Sequence, residues 1–429
     1  MAAPKKARRS KRSISDSRAR RTIPRILLMV ETSRTYGREV AEGIARYALE
    51  NGPWSIQFEE RGLDSTPPEW IKEWRGDGII TRTANMRLAK LLWATKLPLV
   101  ELLGGIKIGT PHIRTDIHLG GRMILEHFLN CGLRRFAHFT YEDTWWIRMQ
   151  REAFYKAVEE RGYRCHVYEA PRSDLTVPVW HERYRPRLIK WIRSLPRPIG
   201  IYAAIDLHAA RLLDICQEIN VAVPEEVAIV GVGNDPVICE TVRPTLSSLD
   251  LDARRVGYEA AKMLDRKMAG EPSGDTLYIP PSHVAVRQST DVTVVDDPDL
   301  AQAMRYIREN ACLGIDVDHV AEVIGMSRRV LERRFHQHLG STPKAEIMRI
   351  KIEHAKTLLA RTDKTIESIV RKSGFNSAIY FTMAFRREVG TTPHAYRQMR
   401  KASRELTEPA NDSSNGDLIA TSARRAAKR

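Results

Sequence analysis

The sequence predicts two doubly wound α/β lobes followed by an all-α domain built on two helix-turn-helix motifs. Three observations lead there. From Ile26 to Thr290, short β-rich runs alternate with helical patterns, as parallel α/β architecture requires. Two halves, residues 26–116 and 135–235, each carry their own series of strands and helices. The last third then nearly repeats itself: Gly325-Met326-Ser327 leads through Leu331 and Phe335 to Leu339-Gly340-Ser341-Thr342-Pro343, and Gly374-Phe375-Asn376 leads through Phe381 and Phe385 to Val389-Gly390-Thr391-Thr392-Pro393. The two copies lie about fifty residues apart. Each reads as a short helix, a tight glycine turn, a longer basic amphipathic helix and a Gly-x-Thr-Pro stop.

At 429 residues the chain exceeds what one core usually holds. We divide it into a basic arm (1–24), a two-lobed domain (25–292), a linker (293–298), the helix-turn-helix domain (299–402) and a polar tail (403–429). The arm is rich in Lys and Arg with Asp16 as its lone acid and no apolar core, so it reads as a solvated, disordered tail rather than a secretory signal. The formal charge of +16 points to a polyanionic partner, either nucleic acid or an anionic membrane. No apolar run is long enough to span a bilayer, which sets the membrane aside. Cys131, Cys165, Cys216, Cys239 and Cys312 are scattered, with no Cys-x-x-Cys pair, and fit reduced thiols in a cytoplasm.

Strands are expected at 26–30, 55–59, 78–81, 99–101, 135–140, 164–168, 200–203 and 227–232, and helices at 36–51, 117–131, 146–161, 207–219 and 253–268. Paired doubly wound lobes bind small molecules at the carboxyl ends of their strands, in the cleft between them. The loops at those ends are 31–36, 59–61, 141–143, Asp206 and Asn234-Asp235. The candidate ligand contacts are therefore Glu31, Arg34, Tyr36, Trp146, Arg148, Asp206, Asn234 and Asp235. Carboxylates and amides suit a polyhydroxylated ligand, since each can bond neighbouring hydroxyls, and Trp146 can pack on the apolar face of a sugar ring. Core packing fits Trp145 and Trp146 equally well, and Asp116 reads as a helix N-cap. Gly-x-Ser-x-Gly, Walker and His-Glu-x-x-His motifs are absent from the sequence, so no catalytic residue, metal site or cofactor is expected. His336 and His338 stand two apart, on different helix faces, and Gly231-Val232-Gly233 is only a fragment of a dinucleotide loop.

In the repeat, 320–324 forms a short positioning helix and Ser327 caps the next. Val330, Leu331, Phe335 and Leu339 take core spacing, leaving Arg328, Arg329, Glu332, Arg333 and His336 outward. Arg329 and Arg333, four apart, can enter one major groove, where guanidinium pairs with guanine O6 and N7. The second copy turns Ser377, Ala378, Ile379, Thr382, Met383 and Arg386 outward around a core of Tyr380, Phe381 and Phe385. Its less polar face fits thymine methyls, with Arg386 and Arg387 on phosphates. The helix pattern at 345–359, with Ile347, Ile350, Ala355, Leu358 and Leu359, makes a rod that spaces the two reading heads. Successive major grooves on one DNA face lie about 34 Å apart.

Residues 300–397 resemble the AraC/XylS-type DNA-binding domain through Arg349-x3-Glu353-x-Ala355-x2-Leu358-Leu359 and Gly374-Phe375-x4-Tyr380-Phe381-x3-Phe385-Arg386-Arg387-x2-Gly390-x-Thr392-Pro393-x2-Tyr396-Arg397. The middle resembles LacI/GalR-type effector domains through Thr115-Asp116-x3-Gly120, His127-Phe128, Asp206, Val230-Gly231 and Val286-Arg287-x-Ser289-Thr290. Tyr36-x-Arg38-x-Val40-x-Glu42-Gly43, Gly257-Tyr258-x-Ala260-Ala261-Lys262 and 303–315 extend the likeness. The resemblance implies a periplasmic-binding-protein-like, sugar-sensing domain joined to the DNA-reading end. It further implies a homodimeric, D-xylose-dependent activator of xylose-utilisation genes that binds double-stranded operator DNA and meets RNA polymerase. Gly233 stands where such domains usually place a ligand-binding Asp, and Ile205 where an Asn is common. Asn234 and Asp235 could take over that contact, or the ligand could be another pentose. A constitutive DNA-binding protein with a degenerate effector domain, and a carbohydrate-active enzyme with an appended DNA-binding domain, are the alternatives.

Overall fold

The computed structural model describes residues 23–59, 68–83, 85–102, 105, 112–141, 144–168, 184–272, 276–291 and 297–405. The basic arm up to 22, residues 292–296 with most of the expected 293–298 linker, the tail beyond 405, and Glu60, Arg61, Glu142 and Asp143 lie outside the described residues, while Asp297 and Pro298 open the first helix of the last domain.

Along the chain the elements begin with β1 (Arg25–Met29), α1 (Thr35–Asn51), β2 (Ser55–Phe58), β3 (Gly78–Thr81), α2 (Met86–Ala94), β4 (Leu99–Glu101) and β5 (Ile113–Thr115). They continue with α3 (Ile117–Asn130), β6 (Phe136–Phe139), α4 (Trp145–Glu160), β7 (Cys165–Val167), α5 (Arg185–Ser194), β8 (Ile199–Ala203), α6 (Asp206–Glu218), β9 (Val227–Val232), α7 (Pro236–Thr241) and β10 (Ser247–Leu249). The effector domain closes with α8 (Ala253–Met268), β11 (Leu277–Ile279) and β12 (Val284–Ala285).

The first lobe is a parallel sheet ordered β2-β1-β3-β4. A bridge from Glu101 to His112 carries it on to β5, which pairs with β11. Strand alternation decides its two faces. Ile26, Leu28 and Ile80 meet Val40 and Ile44 of α1 and Val256, Ala260 and Leu264 of α8, while Leu27, Met29 and Ile79 meet Leu88 and Leu92 of α2. Burial on both sides explains why β1 reads as one continuous apolar run. The second sheet is ordered β12-β10-β9-β8-β6-β7, parallel except for the β10–β12 pair. Its faces pack on α3 and α4 on one side and on α5 and α6 on the other.

The halves anticipated from sequence omit that the chain crosses between lobes three times. It leaves the first lobe at Thr115-Asp116, returns at Asp250–Asp252 to add α8, and leaves again after β11. The crossings are bonded to one another: Asp116 N–H donates to Ile279 O (2.8 Å), Asp250 N–H to His283 O (2.9 Å), and Thr115 Oγ1–H to Leu251 O (3.2 Å). Asp116 caps α3 by accepting from His118 and Leu119 N–H, as expected. The Val286-Arg287-x-Ser289-Thr290 motif is a staple, because Ser289 Oγ donates to Ile229 O (2.6 Å) and Thr290 Oγ1 meets His127 Nε2 (2.8 Å). The Gly43 and Gly257 motifs mark where α1 and α8 cross. A Cβ on Gly43 would lie 2.0 Å from Arg254 O, and one on Gly257 2.0 Å from Val40 O, so only glycine admits this approach.

The last domain comprises α9 (Pro298–Asn310), α10 (Val317–Ile324), α11 (Arg328–Leu339), α12 (Pro343–Arg361), α13 (Ile366–Lys372), α14 (Ala378–Val389) and α15 (Pro393–Glu405). It begins one residue earlier and runs three residues further than the expected 299–402. Two cores form. Leu331 and Phe335 of α11 pack with Ile347 and Ile350 of α12, while Phe381 and Phe385 of α14 pack with Ile352, Ala355 and Leu359 of the same rod. Tyr380, expected in the second core, is 47% exposed. Phe381, Ala384 and Phe385 fill the inward stripe, and Tyr380 lies about 100° round the helix from Phe381.

Candidate ligand cleft and DNA-reading surface

Where the two sheets present their carboxyl ends to each other, a cavity of about 410 Å³ opens. From the first lobe come Glu31 after β1, Thr35 and Tyr36 opening α1, Arg82 after β3 and Arg114 on β5. Neighbouring positions of β1 and β3 bring Glu31 and Arg82 into a buried ion pair. Burial lowers Arg82 to about 10, so it stays charged at neutral pH, and its guanidinium lies 4.8 Å from the Tyr36 ring centroid. Burial likewise pushes the Tyr36 hydroxyl up to about 12, with Thr115 bonded to it.

From the second lobe come Trp145, Trp146 and Gln150 of α4, Ile205 and Asp206 after β8, and Gly233 and Asp235 after β9. Asp206 accepts from Ser248 Oγ (2.5 Å) and from Asp235 N–H (2.8 Å). Burial nevertheless outweighs these bonds and raises its carboxyl to about 6. Asp235 caps α7 through Oδ1, which accepts from Val237 and Ile238 N–H, and its Oδ2 accepts from Thr35 of the other lobe.

Of the residues singled out from sequence, Glu31, Arg34, Tyr36, Trp146, Asp206 and Asp235 line this cavity. Arg148 does not: it is exposed on α4, because Trp146 and Gln150 stand four apart on the inward face and residue 148 falls opposite. Asn234 does not either. It adopts a left-handed φ of 51°, donates to Asp250 (3.1 Å) and accepts from Arg287 (2.8 Å), which makes it part of the hinge. Sequence reasoning missed Arg82, Arg114, Thr35 and Gln150. A cation after a strand and an amide inside a helix read as solvent-facing until the strand order is known. Trp145 also lines the cavity.

On the DNA-reading end, Ser327 and Ser377 cap α11 and α14, accepting from Val330 (3.4 Å) and Tyr380 (3.3 Å) N–H. Arg328 is held by Glu332 (2.9 Å) and Asp318 (3.0 Å). Arg329 and Arg333 are exposed and have no ion pair with a described residue, so both guanidiniums face outward unengaged. On α14, Ile379 (76%) and Met383 (67%) are exposed one turn apart, the Thr382 hydroxyl bonds back to Ala378 O (2.9 Å), and Arg386 is exposed. Arg387 is engaged with Glu388. Arg334, not anticipated, turns inward onto Asp297 and Asp299. Among the described residues no cluster of three or more His, Cys, Asp or Glu could hold a metal ion, and no helix is long and apolar enough to cross a membrane.

A two-lobed cleft on a chain that ends in twin helix-turn-helix units defines a ligand-responsive transcription regulator. Residues 25–110 match the XylR N-terminal domain, 125–290 a periplasmic binding protein-like domain, and 320–399 a helix-turn-helix domain. The chain is 32% identical to the xylose operon regulatory protein of Escherichia coli K12, across 87% of this chain and 97% of that protein. It is 34% identical to the protein of the same name from Haemophilus influenzae, across 87% and 98%. A solved structure described as the xylose-binding transcription activator XylR superposes with a TM-score of 0.75 at 32% identity, covering 88% of this chain and 99% of that one. The chain belongs to the xylose operon regulatory protein family, whose members regulate transcription rather than catalyse reactions.

Proposed function

We propose that this chain is a D-xylose-dependent activator, working as a homodimer on operator DNA in the cytoplasm and contacting RNA polymerase there. The observation that carries the ligand is the charge balance of the cleft. Three carboxylates (Glu31, Asp206, Asp235) face three guanidinium groups (Arg34, Arg82, Arg114), with Trp145 and Trp146 beside them. Such a wall favours a neutral, hydroxyl-rich ring over a sugar acid or phosphate, whose charge would meet the buried carboxylates. The names of the relatives and of the solved activator support xylose among neutral pentoses. Asp235 supplies the acidic contact that Gly233 cannot.

Sugar that bridges both walls binds the closed arrangement better and shifts the population toward it, which alters how the two DNA-reading ends of a dimer are presented. Calorimetry with D-xylose, L-arabinose and D-ribose tests the ligand. Heat with D-xylose alone, or at least tenfold tighter binding of it, is the expected result. Heat with none would favour a constitutive DNA-binding protein, and tighter binding of another pentose would reassign the effector.

A further inference from the structure

Glu225 lies in the segment that leads into β9, at the end of the second lobe away from the cleft. Its side chain is 2% exposed and is paired with Arg308 of α9, itself 8% exposed. Arg308 also donates to Asp291 O at 3.0 Å. The Asp291 carboxylate in turn accepts from Arg349 of α12 at 2.6 Å, and Arg349 is braced by Glu346. Asp291 directly follows the Ser289-Thr290 staple and so belongs rigidly to the second lobe. At the other end of α9, its capping Asp297 holds Arg334 of the reading helix α11. The Arg308 and Arg349 contacts with Glu225 and Asp291 join the DNA-reading domain to the second lobe, and the Asp297–Arg334 pair fixes α9 to the reading helix within that domain.

A solvent-exposed ion pair contributes little, but a buried one leaves an uncompensated charge when either partner is removed, so it resists separation. The second Glu225 oxygen has no hydrogen-bond partner among the described residues, which makes that carboxylate dependent on Arg308. Domains of one chain reorient by default unless something specific holds them together.

We propose that the buried Arg308–Glu225 pair, seconded by Arg349–Asp291, clamps the DNA-reading domain to the second lobe, so that lobe closure turns the two as one body against the first lobe. Helix α9 is the strut: one end is anchored in the effector domain and the other on the helix that reads DNA. Only the closing stimulus rests on the sugar-responsive reading above; the clamp does not.

Spin-label distances in the full chain, diluted with unlabelled protein, test it. Labels at exposed Lys190 of α5 and Gln337 of α11 report second lobe to reading helix, and labels at Lys90 of α2 and Gln337 report first lobe to reading helix. The Lys190–Gln337 distribution should be narrow and unmoved by D-xylose while the Lys90–Gln337 distance shifts. Arg308→Met and Glu225→Gln should each broaden the Lys190–Gln337 distribution about twofold or more, as expected of released domains. D-xylose affinity should change less than about twofold, since the clamp is remote from the cleft. Glu225→Gln keeps volume and an acceptor, and so serves if Arg308→Met fails to fold. A narrow distribution in the variants, or a Lys190–Gln337 distance that moves with sugar, overturns the proposal. If no pentose binds, the effector reading fails while the variants still decide the clamp.

Discussion

Thr35 and Asp235 belong to opposite lobes, and the Thr35 hydroxyl donates to the Asp235 carboxylate across the cleft at 2.5 Å. Arg38, one turn further along α1, donates to the same Thr35 oxygen at 2.8 Å, so three polar groups form a relay from lobe to lobe. Hydrogen bonds to charged groups contribute about 1.5–3 kcal/mol net. Thr35→Val keeps the shape and removes the relay. It should weaken D-xylose binding about tenfold by favouring the open arrangement. Calorimetry reads this directly, and wild-type affinity would mean the relay has no part in closure.

Arg329 and Arg333 should behave differently from Arg386. Replacing either of the first two with Ala is expected to cost about 1–3 kcal/mol at particular base pairs and to relax preference there. Arg386→Ala should weaken binding evenly across sequences and lower the salt dependence by about one counterion. Selection from a randomised operator library distinguishes them, and an even loss for all three would assign Arg329 and Arg333 to phosphates.

Gly257→Ala pits two effects against each other. Alanine improves helix propensity by about 1 kcal/mol. The new Cβ, however, would sit 2.0 Å from Val40 O, so α1 and α8 must part, at a cost of about 3 kcal/mol or more. The clash should win, with a net loss near 2 kcal/mol or greater in urea unfolding. An unchanged or raised midpoint would show that the helices separate freely.

His138 gives the chain an acid-side weakness. It is fully buried on β6, neither ring nitrogen has a hydrogen-bond partner among the described residues, and burial holds its pKa down to about 3. Its folded pKa lies below the unfolded value of about 6.5, so the unfolded chain takes up the proton first and stability falls as pH drops below that value. From pH 7 to pH 5 the loss is about 2 kcal/mol. Asp206 works oppositely: its folded value of about 6 lies above the unfolded value, so it recovers about 1 kcal/mol over the same window. Other titrating groups are common to both proteins, so between pH 7 and pH 5 the wild type should lose about 2 kcal/mol more stability than His138→Phe. Parallel wild-type and variant profiles would mean the imidazole is solvated after all.

Much of this architecture was legible because apolar runs of β1, β6, β8 and β9 and the Gly325 and Gly374 turns carry local signals. Strands β10 and β12 carried none. They are two or three residues long, and Ser247 and Ser248 in β10 give no apolar run to find, because their hydroxyls are spent on Thr290 and Asp206. Arg82 was invisible for another reason, since its partner Glu31 is fifty-one positions away and only the β1–β3 adjacency joins them. Arg148 was drawn in by sequence proximity to Trp146, and Asn234 by its place beside Asp235. Helix rotation excludes the first, and the hinge bonds exclude the second.

Helix α12 contributes Ile347 and Ile350 to one core and Ile352, Ala355 and Leu359 to the other. Because each residue of a helix advances about 1.5 Å and turns about 100°, this shared rod stores an angle as well as a length. Adding one residue between Ile350 and Ile352 would barely lengthen the rod but would swing the second reading head a quarter-turn off the DNA face. The protein therefore tolerates changes in what each head reads far better than changes in the phase between them, and its target sites must keep one fixed helical phasing even where their bases drift.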